Sequence, residues 1–365
     1  MKNILPRLTT LIRAVAAIAM TAFASFPASN PAAGAPGSSS SDASATPGAS
    51  TPIAAQPITA GDQLLLQAIA QLERRESIAA RLQYKASLNG QTLSNASYPG
   101  SYWQQGSGDV LRVRLELRVT DTISLLQVSN GRFLWVDRQF PTRRVVNRLD
   151  LRRIRADAAR AAAKLDELQP GQANWSPIHP ELSAYYGGLP KLLSAMSESF
   201  TFQQPQAMRL ELKSPDKAVK SAVPVFAVVG HWKPAQLAKI VPPLGEAGID
   251  AELERQLAAL PSRLPQEVLL LLGQADLFPY RIEYRTLMQP SPSAGMPAAP
   301  YQLSAEPLVL VEFSDVSFDV PIGPGQFDYA PPSDTKWDDL TAEYLDKIRS
   351  QRDQQLATRN REPTL

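Results

Sequence analysis

The fold is decided by residues 110–137, VLRVRLELRVTDTISLLQVSNGRFLWVD. From Leu111 to Val119 every second residue is apolar, and the residues between them are charged. A period of two puts the apolar side chains on one face of a β-strand and the charges on the other, and no helix fits it. Asn130-Gly131 then separates two further apolar runs and predicts a type I′ hairpin turn. The stretch therefore forms an antiparallel sheet whose apolar face covers either a packed core or a cavity for an apolar molecule.

The two ends of the chain differ in composition from the rest. Three basic residues precede the apolar run at 14–26, and small residues follow it, as in a secretory signal peptide spanning residues 1–28. An uncleaved N-terminal anchor is the alternative. Residues 29–60 are rich in Ala, Pro, Ser and Gly and predict a disordered linker, and residues 349–365 form a polar tail. One folded domain over 61–348 is expected, in a protein that is periplasmic or otherwise exported.

Composition excludes several classes of function. The chain has no cysteine, which excludes a lipid-modified cysteine, disulfides, zinc-thiolate sites and cysteine nucleophiles. It holds 37 basic residues, three of them in the leader, against 35 acidic residues, so the mature protein is close to neutral. Nucleic-acid binding therefore has no electrostatic support.

Periodicity elsewhere completes the architecture. It predicts helices opening after Thr59 and over residues 154–168, 188–200, 250–260 and 337–348, and strands over 78–88, 207–213, 223–232, 268–272, 280–285 and 308–320. Asn89-Gly90 predicts a second hairpin turn. The fold class is therefore α+β, a curved antiparallel sheet with helices gathered on one side, and the helices within 151–200 are placed to act as lids.

Two motifs resemble those of a known family. Val128-Ser129-Asn130-Gly131, continuing through Leu134-Trp135-Val136, is similar to a hairpin of the periplasmic lipoprotein carrier family LolA. Residues 327–332, FDYAPP, resemble the segment that closes the same domain, and Gly100–Trp103 lies where the family has a G-x-Y-W segment. The resemblance implies an incomplete β-barrel, with helices covering its open concave side and an apolar cavity that takes lipoprotein acyl chains. It also implies a basic residue after Trp103, where this chain has Gln104-Gln105 instead.

Two groups of residues are candidates for a site. The first could line a ligand cavity or fill a core, and consists of Tyr84, Trp103, Leu111, Val113, Leu115, Leu117, Phe133, Trp135, Tyr280, Ile282, Tyr284 and Phe318. The second is a basic cluster that could meet anionic head groups or an acidic partner, or simply be a solvated face, and consists of Arg144, Arg148, Arg152, Arg153 and Arg155.

Catalytic signatures are weak. The two histidines, His179 and His231, have no metal-binding spacing, and no G-x-S-x-G motif is present. We therefore expect no enzyme, metal or cofactor, although a hydrolase whose carboxylates meet only in three dimensions is a distant alternative. The leading hypothesis is an exported soluble monomer that binds a lipid, an acyl chain or a lipidated protein, with no transmembrane span after leader cleavage. The main alternative is a non-catalytic envelope scaffold with the same fold and no ligand.

Overall fold

The computed structural model describes residues 58–88, 91–92, 99–168, 187–212, 221–241, 256–257, 264–288, 302–303 and 307–359. The leader, most of the linker, the Asn89-Gly90 turn and His179 lie outside these ranges. So do the helix predicted over 250–260, apart from residues 256–257, and the end of the polar tail.

The described residues form five helices and sixteen strands. The helices are α1 (Ala60–Arg74), α2 (Leu151–Leu168), α3 (Gly188–Ser199), α4 (Pro234–Ile240) and α5 (Thr341–Arg359). The strands are β1 (Ser77–Leu88), β2 (Gln91–Thr92), β3 (Gly100–Gln105), β4 (Arg112–Thr120), β5 (Ile123–Ser129), β6 (Phe133–Phe140), β7 (Arg143–Asp150), β8 (Phe200–Phe202), β9 (Gln206–Leu212), β10 (Ser221–Trp232), β11 (Glu267–Gly273), β12 (Pro279–Arg285), β13 (Leu287–Met288), β14 (Gln302–Leu303), β15 (Val309–Phe318) and β16 (Trp337–Asp339).

Fourteen of these strands form one open sheet. Their order is β16-β7-β6-β5-β4-β3-β1-β15-β12-β11-β10-β8, with β2 paired to β1 and β9 paired to β10. The pairings are antiparallel except for β16 with β7, which is parallel. The two ends of this described sheet do not pair with each other. The predicted α+β class, with an antiparallel sheet that is not closed into a barrel, is confirmed.

The hairpin at Asn130 keeps the predicted position but not the predicted turn type. Gly131 has a φ of +87°, whereas Asn130 is not among the residues with positive φ, so the two positive angles of a type I′ turn are absent. Instead, the Asn130 side-chain Oδ1 accepts hydrogen bonds from the backbone N–H groups of Arg132 and Phe133, at 3.0 and 2.8 Å. A local side-chain hydrogen bond thus closes the turn without a second residue of positive φ.

Helix α1 is fixed at its N-terminus to the far end of the sheet. Thr59 and Asp62 form the predicted capping pair, in which the Asp62 N–H donates to Thr59 Oγ1 at 3.0 Å. Asp62 Oδ1 also accepts from the backbone N–H of Phe202 in β8, at 2.9 Å. A Cβ on Gly61 would lie 2.0 Å from the carbonyl oxygen of Gln203, so only glycine allows this approach.

The C-terminal segment differs from the predicted helix over 337–348. Trp337 lies in β16 rather than in a helix, and its ring packs against Trp135 with centroids 5.3 Å apart. The helix begins at Thr341 and continues to Arg359, into the segment expected as a polar tail. Asp339 Oδ1 accepts from the Thr341 N–H at 3.0 Å, which places the helix start after the strand.

Candidate functional site

An apolar cavity lies between one face of the sheet and helix α3. Its volume is about 40 Å³. The lining consists of Leu82, Tyr84, Tyr102, Val113, Leu115, Leu117, Gln127, Gly188, Leu189, Leu192, Ile282, Tyr284, Val311 and Phe313. The space is apolar, with only phenol hydroxyls and one amide among its polar groups.

Six neighbouring strands contribute to this one small space. In sheet order they are β5, β4, β3, β1, β15 and β12, and each presents residues from a single face. Side chains from six strands, each about 4.8 Å from the next, can meet around so small a volume only if the sheet curves around it. The cavity side is therefore the concave face, and the opposite side is the convex face.

Helix α3 covers the open side of the cavity. Gly188, Leu189 and Leu192 line the space, while Leu193 and Met196 are buried in the surrounding core. The helix also packs against α1. Of the two helices expected to act as lids, α3 occupies that position, whereas no side chain described in α2 lines the cavity.

One polar contact joins the start of α3 to the sheet. The backbone N–H of Leu189 donates to the hydroxyl of Tyr102 at 3.0 Å, and that hydroxyl donates to Gln104 Oε1 at 2.6 Å. Gly188 has a φ of +61°, and a Cβ there would lie 2.5 Å from Gln104 Oε1. We call this arrangement of Tyr102, Gln104 and the Leu189 N–H the Tyr102 clasp. It includes Gln104, which follows Trp103 where the family resemblance implies a basic residue.

The phenols around the cavity are neutral. Burial raises the pKa of Tyr84, Tyr102 and Tyr284 above the ordinary value, and at Tyr102 the hydrogen bond from Leu189 only partly opposes this. The lining therefore carries no charge from these groups at any physiological pH.

The structure separates the predicted cavity residues into two sets. Those that line the cavity are Tyr84, Val113, Leu115, Leu117, Ile282 and Tyr284. Leu111 and Tyr280 are buried but do not line it, and the Tyr280 hydroxyl donates to Asp276 Oδ2 at 2.8 Å. Phe318 packs against Phe278 beneath the guanidinium of Arg75.

Trp103, Phe133 and Trp135 lie on the convex face, contrary to prediction. Trp103 pairs with Arg114, and antiparallel partners share a face, so it points away from the cavity. Phe133 and Trp135 lie beside Arg148, whose guanidinium carbon is 5.0 and 5.6 Å from their ring centroids. The C-terminal segment covers Trp135 with the ring of Tyr329 at 5.5 Å.

Three of the predicted basic residues form ion pairs, and two of these, Arg144 and Arg148, lie on β7. Arg144 binds the buried carboxylate of Asp137 with Nη2 2.5 Å from Oδ2. The hydrogen bond to Asp137 raises the pKa of Arg144, against the opposing effect of burial. Arg148 binds Asp339 at 2.6 Å and lies 4.4 Å from the ring of Trp337. Arg148 therefore holds the C-terminal segment to the sheet, whereas Arg144 joins β7 to β6. Tyr329 of the C-terminal segment donates to the same Asp137 carboxylate at 2.7 Å.

The remaining basic residues lie on or near a different surface. Arg152 and Arg155 line an open groove between α2 and the hairpin, whereas Arg153 is exposed on α2 and does not line it. Two arginines that the sequence interpretation missed, Arg112 and Arg132, complete the groove. Arg112 had been assigned only to the polar face of its strand, and no sequence signal shows that this face adjoins α2.

Within the described ranges, no three His, Asp or Glu side chains cluster as a metal site requires. His231 Nε2 lies 2.9 Å from Gln203 Nε2. None of the helices in the described part of the chain is long and apolar enough to span a membrane.

Comparison with known proteins gives structural similarity alone. No family model matches the sequence, and no curated protein matches it. Solved structures similar to the chain include three that we describe in turn. A DUF1329 family protein from Desulfovibrio piger is 11% identical over 75% of this chain and 98% of its own, with a TM-score of 0.30. The lipoprotein LppX from Mycobacterium tuberculosis is 10% identical over 72% and 96%, with a TM-score of 0.31.

The third is a LolA superfamily protein from Nitrosomonas europaea, 11% identical over 74% of this chain and 98% of its own, with a TM-score of 0.24. Solved structures of the superfamily that the sequence motifs resemble are thus among those to which the chain is similar. At these TM-scores, no function is transferred from them.

Proposed function

We propose that the protein binds an apolar chain, such as the acyl chain of a lipid or lipidated protein, between the concave face of the sheet and helix α3. The observation that carries the proposal is the cavity itself, because an apolar space partly covered by a single helix is a site that an apolar group fills favourably. Its lining offers no charged group for an ionic ligand.

The size of the cavity determines how a chain would enter. A space of about 40 Å³ is well below the roughly 150 Å³ of an apolar cavity that accepts benzene. An acyl chain therefore requires helix α3 to move away from the sheet. Burial of the ligand gains roughly 0.8 kcal/mol per CH₂ group, so a long chain offsets the loss of the contacts that Leu189 and Leu192 make with the sheet.

The Tyr102 clasp suits such movement. It holds the start of α3 through one neutral hydrogen bond to the sheet, without an ion pair. A neutral hydrogen bond contributes about 1 kcal/mol net, which is small enough for a ligand to replace. The closed arrangement is then the state without ligand, and the open one is the loaded state.

The cellular setting of the proposal is the envelope. The leader-like residues 1–28 support export, and the Ala-, Pro-, Ser- and Gly-rich composition of 29–60 supports a tether between leader and domain. In this setting the protein would carry its ligand between membranes, with lipids or lipoproteins as partners. N-terminal sequencing of the native protein tests export, and recovery of an intact Met1 from the cytosol would contradict it.

The binding proposal is tested by filling the cavity. Leu115→Phe adds volume at the lining, and Leu126→Phe makes the same change on the neighbouring strand's convex face, outside the lining. Titration with a fluorescent C16 fatty acid should show weaker binding for Leu115→Phe and unchanged binding for Leu126→Phe. Equal affinity of both variants and the unsubstituted protein would contradict the proposed site.

A second measurement needs no assumption about the ligand. Native mass spectrometry of protein purified from its own envelope should show an added mass that dissociates as a lipid or lipopeptide. A ligand-free protein that also fails to bind the fatty acid would favour the scaffold function instead.

A further inference from the structure

A basic groove lies on the surface, away from the cavity. Three elements form it: the turn before β4, the hairpin between β5 and β6, and the start of α2. The lining residues are Asp109, Val110, Arg112, Asn130, Gly131, Arg132, Arg152, Arg155, Ala156 and Ala159. The groove is open to solvent and has a volume of about 600 Å³. None of these ten residues lines the cavity.

The floor of the groove is held by Arg155. Its Nη1 donates to the carbonyl oxygens of Asp109 and Gly131, at 2.9 and 3.0 Å. Its Nε lies 3.3 Å from Asp109 Oδ1, and the Arg155 side chain is only 16% exposed. One arginine on a helix thus fixes both loops that carry the other basic residues, so the groove is formed before any ligand arrives.

The charge of the groove is strongly positive. Four of its ten lining residues are arginines and one is an aspartate. Asp109 is already engaged by Arg155. Arg112, Arg132 and Arg152 are exposed, and in the described part of the chain no ion pair joins any of them to a carboxylate. Three guanidinium charges therefore face one open space without compensation.

The guanidinium group determines which anion suits the groove. It presents planar paired N–H donors that match the oxygens of a phosphate, and it is more weakly hydrated than an ammonium group. The guanidinium of Arg132 is also stacked 4.7 Å from the ring of Phe133, which limits its orientations. Several arginines and no lysine around one space favour a multiply bonded, tetrahedral anion over a single carboxylate.

We propose that this groove binds a phosphate ester, with Arg112, Arg132 and Arg152 as its ligands to the phosphate oxygens. The phosphate can belong to a lipid headgroup or to a soluble molecule, since the recognised chemistry is the same. The site is independent of the cavity proposal because the two share no residue.

The test uses the full mature chain and three matched proteins. They are the unsubstituted protein, the triple variant Arg112→Gln/Arg132→Gln/Arg152→Gln, and Arg118→Gln as control. Arg118 is exposed on the same strand as Arg112 but lies outside the groove. None of the four forms an ion pair among the described residues, and the Arg132–Phe133 contact is a modest one, so the unfolding temperatures of all three proteins should lie close together.

Two probes distinguish the sources of the phosphate. Glycerol 3-phosphate is titrated by calorimetry, and sedimentation is measured with vesicles of phosphatidylglycerol or of phosphatidylcholine. Each arginine near an anionic surface is worth about fivefold in affinity, so the triple variant should lose on the order of 100-fold on the vesicles. Binding should also weaken as salt is raised.

Every outcome decides the proposal. If the triple variant, but not the control, loses binding of glycerol 3-phosphate, the site takes soluble phosphate esters. If no protein binds glycerol 3-phosphate and the triple variant loses binding to phosphatidylglycerol vesicles, the site takes a lipid headgroup. Equal binding by all three proteins, or no binding of either probe, would overturn it.

Discussion

Replacing Tyr102 with phenylalanine should release helix α3 while keeping an aromatic ring in the lining of the cavity. The lost hydroxyl accepts from the Leu189 N–H at 3.0 Å and donates to Gln104 Oε1 at 2.6 Å. Both partners lie at buried positions, and leaving a buried polar group without a partner costs about 1–3 kcal/mol. A loss of about 2 kcal/mol in the closed state shifts the opening equilibrium of α3 roughly 30-fold.

Amide hydrogen exchange measures this shift residue by residue. The amides of α3 from Leu193 to Ser199 should exchange roughly 30-fold faster in Tyr102→Phe, and fatty-acid uptake should accelerate with them. Tyr280→Phe is the matched control, because its buried hydroxyl donates to Asp276 rather than to the lid. The control should lower the global free energy of unfolding, but it should not make the α3 amides exchange faster than those of the rest of the core. If both variants accelerate α3 equally, the clasp does not hold the lid.

Three further predictions concern stability. Gly61→Ala should lower the free energy of unfolding by several kcal/mol in urea titration, because its Cβ would lie 2.0 Å from the Gln203 carbonyl oxygen; an unchanged midpoint would contradict this. Arg148→Ala should lower the free energy of unfolding by about 2 kcal/mol, because Arg148 binds Asp339 at 2.6 Å and stacks on Trp337. A loss below about 0.5 kcal/mol, as is typical of an exposed ion pair, would contradict this role. Burial tends to raise the pKa of Asp339, but hydrogen bonds from Arg148 and its neighbours lower it to about 2. Its stabilisation is therefore complete above the unfolded pKa near 3.8 and lost as pH falls through about 2, so Asp339→Asn should cost about 1 kcal/mol at neutral pH and nothing in strong acid.

The sequence was sufficient to predict most of the longer strands, because alternation is a local property, but it assigned the short strand β16 to a helix. The faces of β4 were assigned correctly, since its apolar residues all lie on one side and its charges on the other. In β3 and β6, aromatic residues occur on both faces, and only the cross-strand register decides which face is concave. Trp103 lies opposite Arg114, and Tyr102 lies opposite Leu115, so Tyr102 lines the cavity and Trp103 lies on the convex face. That register depends on pairing between distant segments, which a local pattern does not contain.

The basic cluster shows a similar limit. Its arginines are adjacent in sequence across β7 and α2, yet they belong to three environments. Arg144 and Arg148 are neutralised by Asp137 and by Asp339, which lies 191 residues further along the chain. The groove instead combines Arg152 with Arg112 and Arg132 from other elements. Charge density along the chain predicted a basic region, but the partners that cancel part of it come from remote segments.

The two ends of the open sheet have a consequence for self-association. An open sheet leaves unpaired backbone groups at its margins, and long flat margins recruit further strands into aggregates. Here one margin is β16, only three residues long with Asp338 and Asp339 in it. The other margin is divided between β8 and β9, which are separated by Gln203-Gln204-Pro205. Within the described part of the chain, short, charged and proline-interrupted margins oppose edge-to-edge growth of this fourteen-stranded sheet.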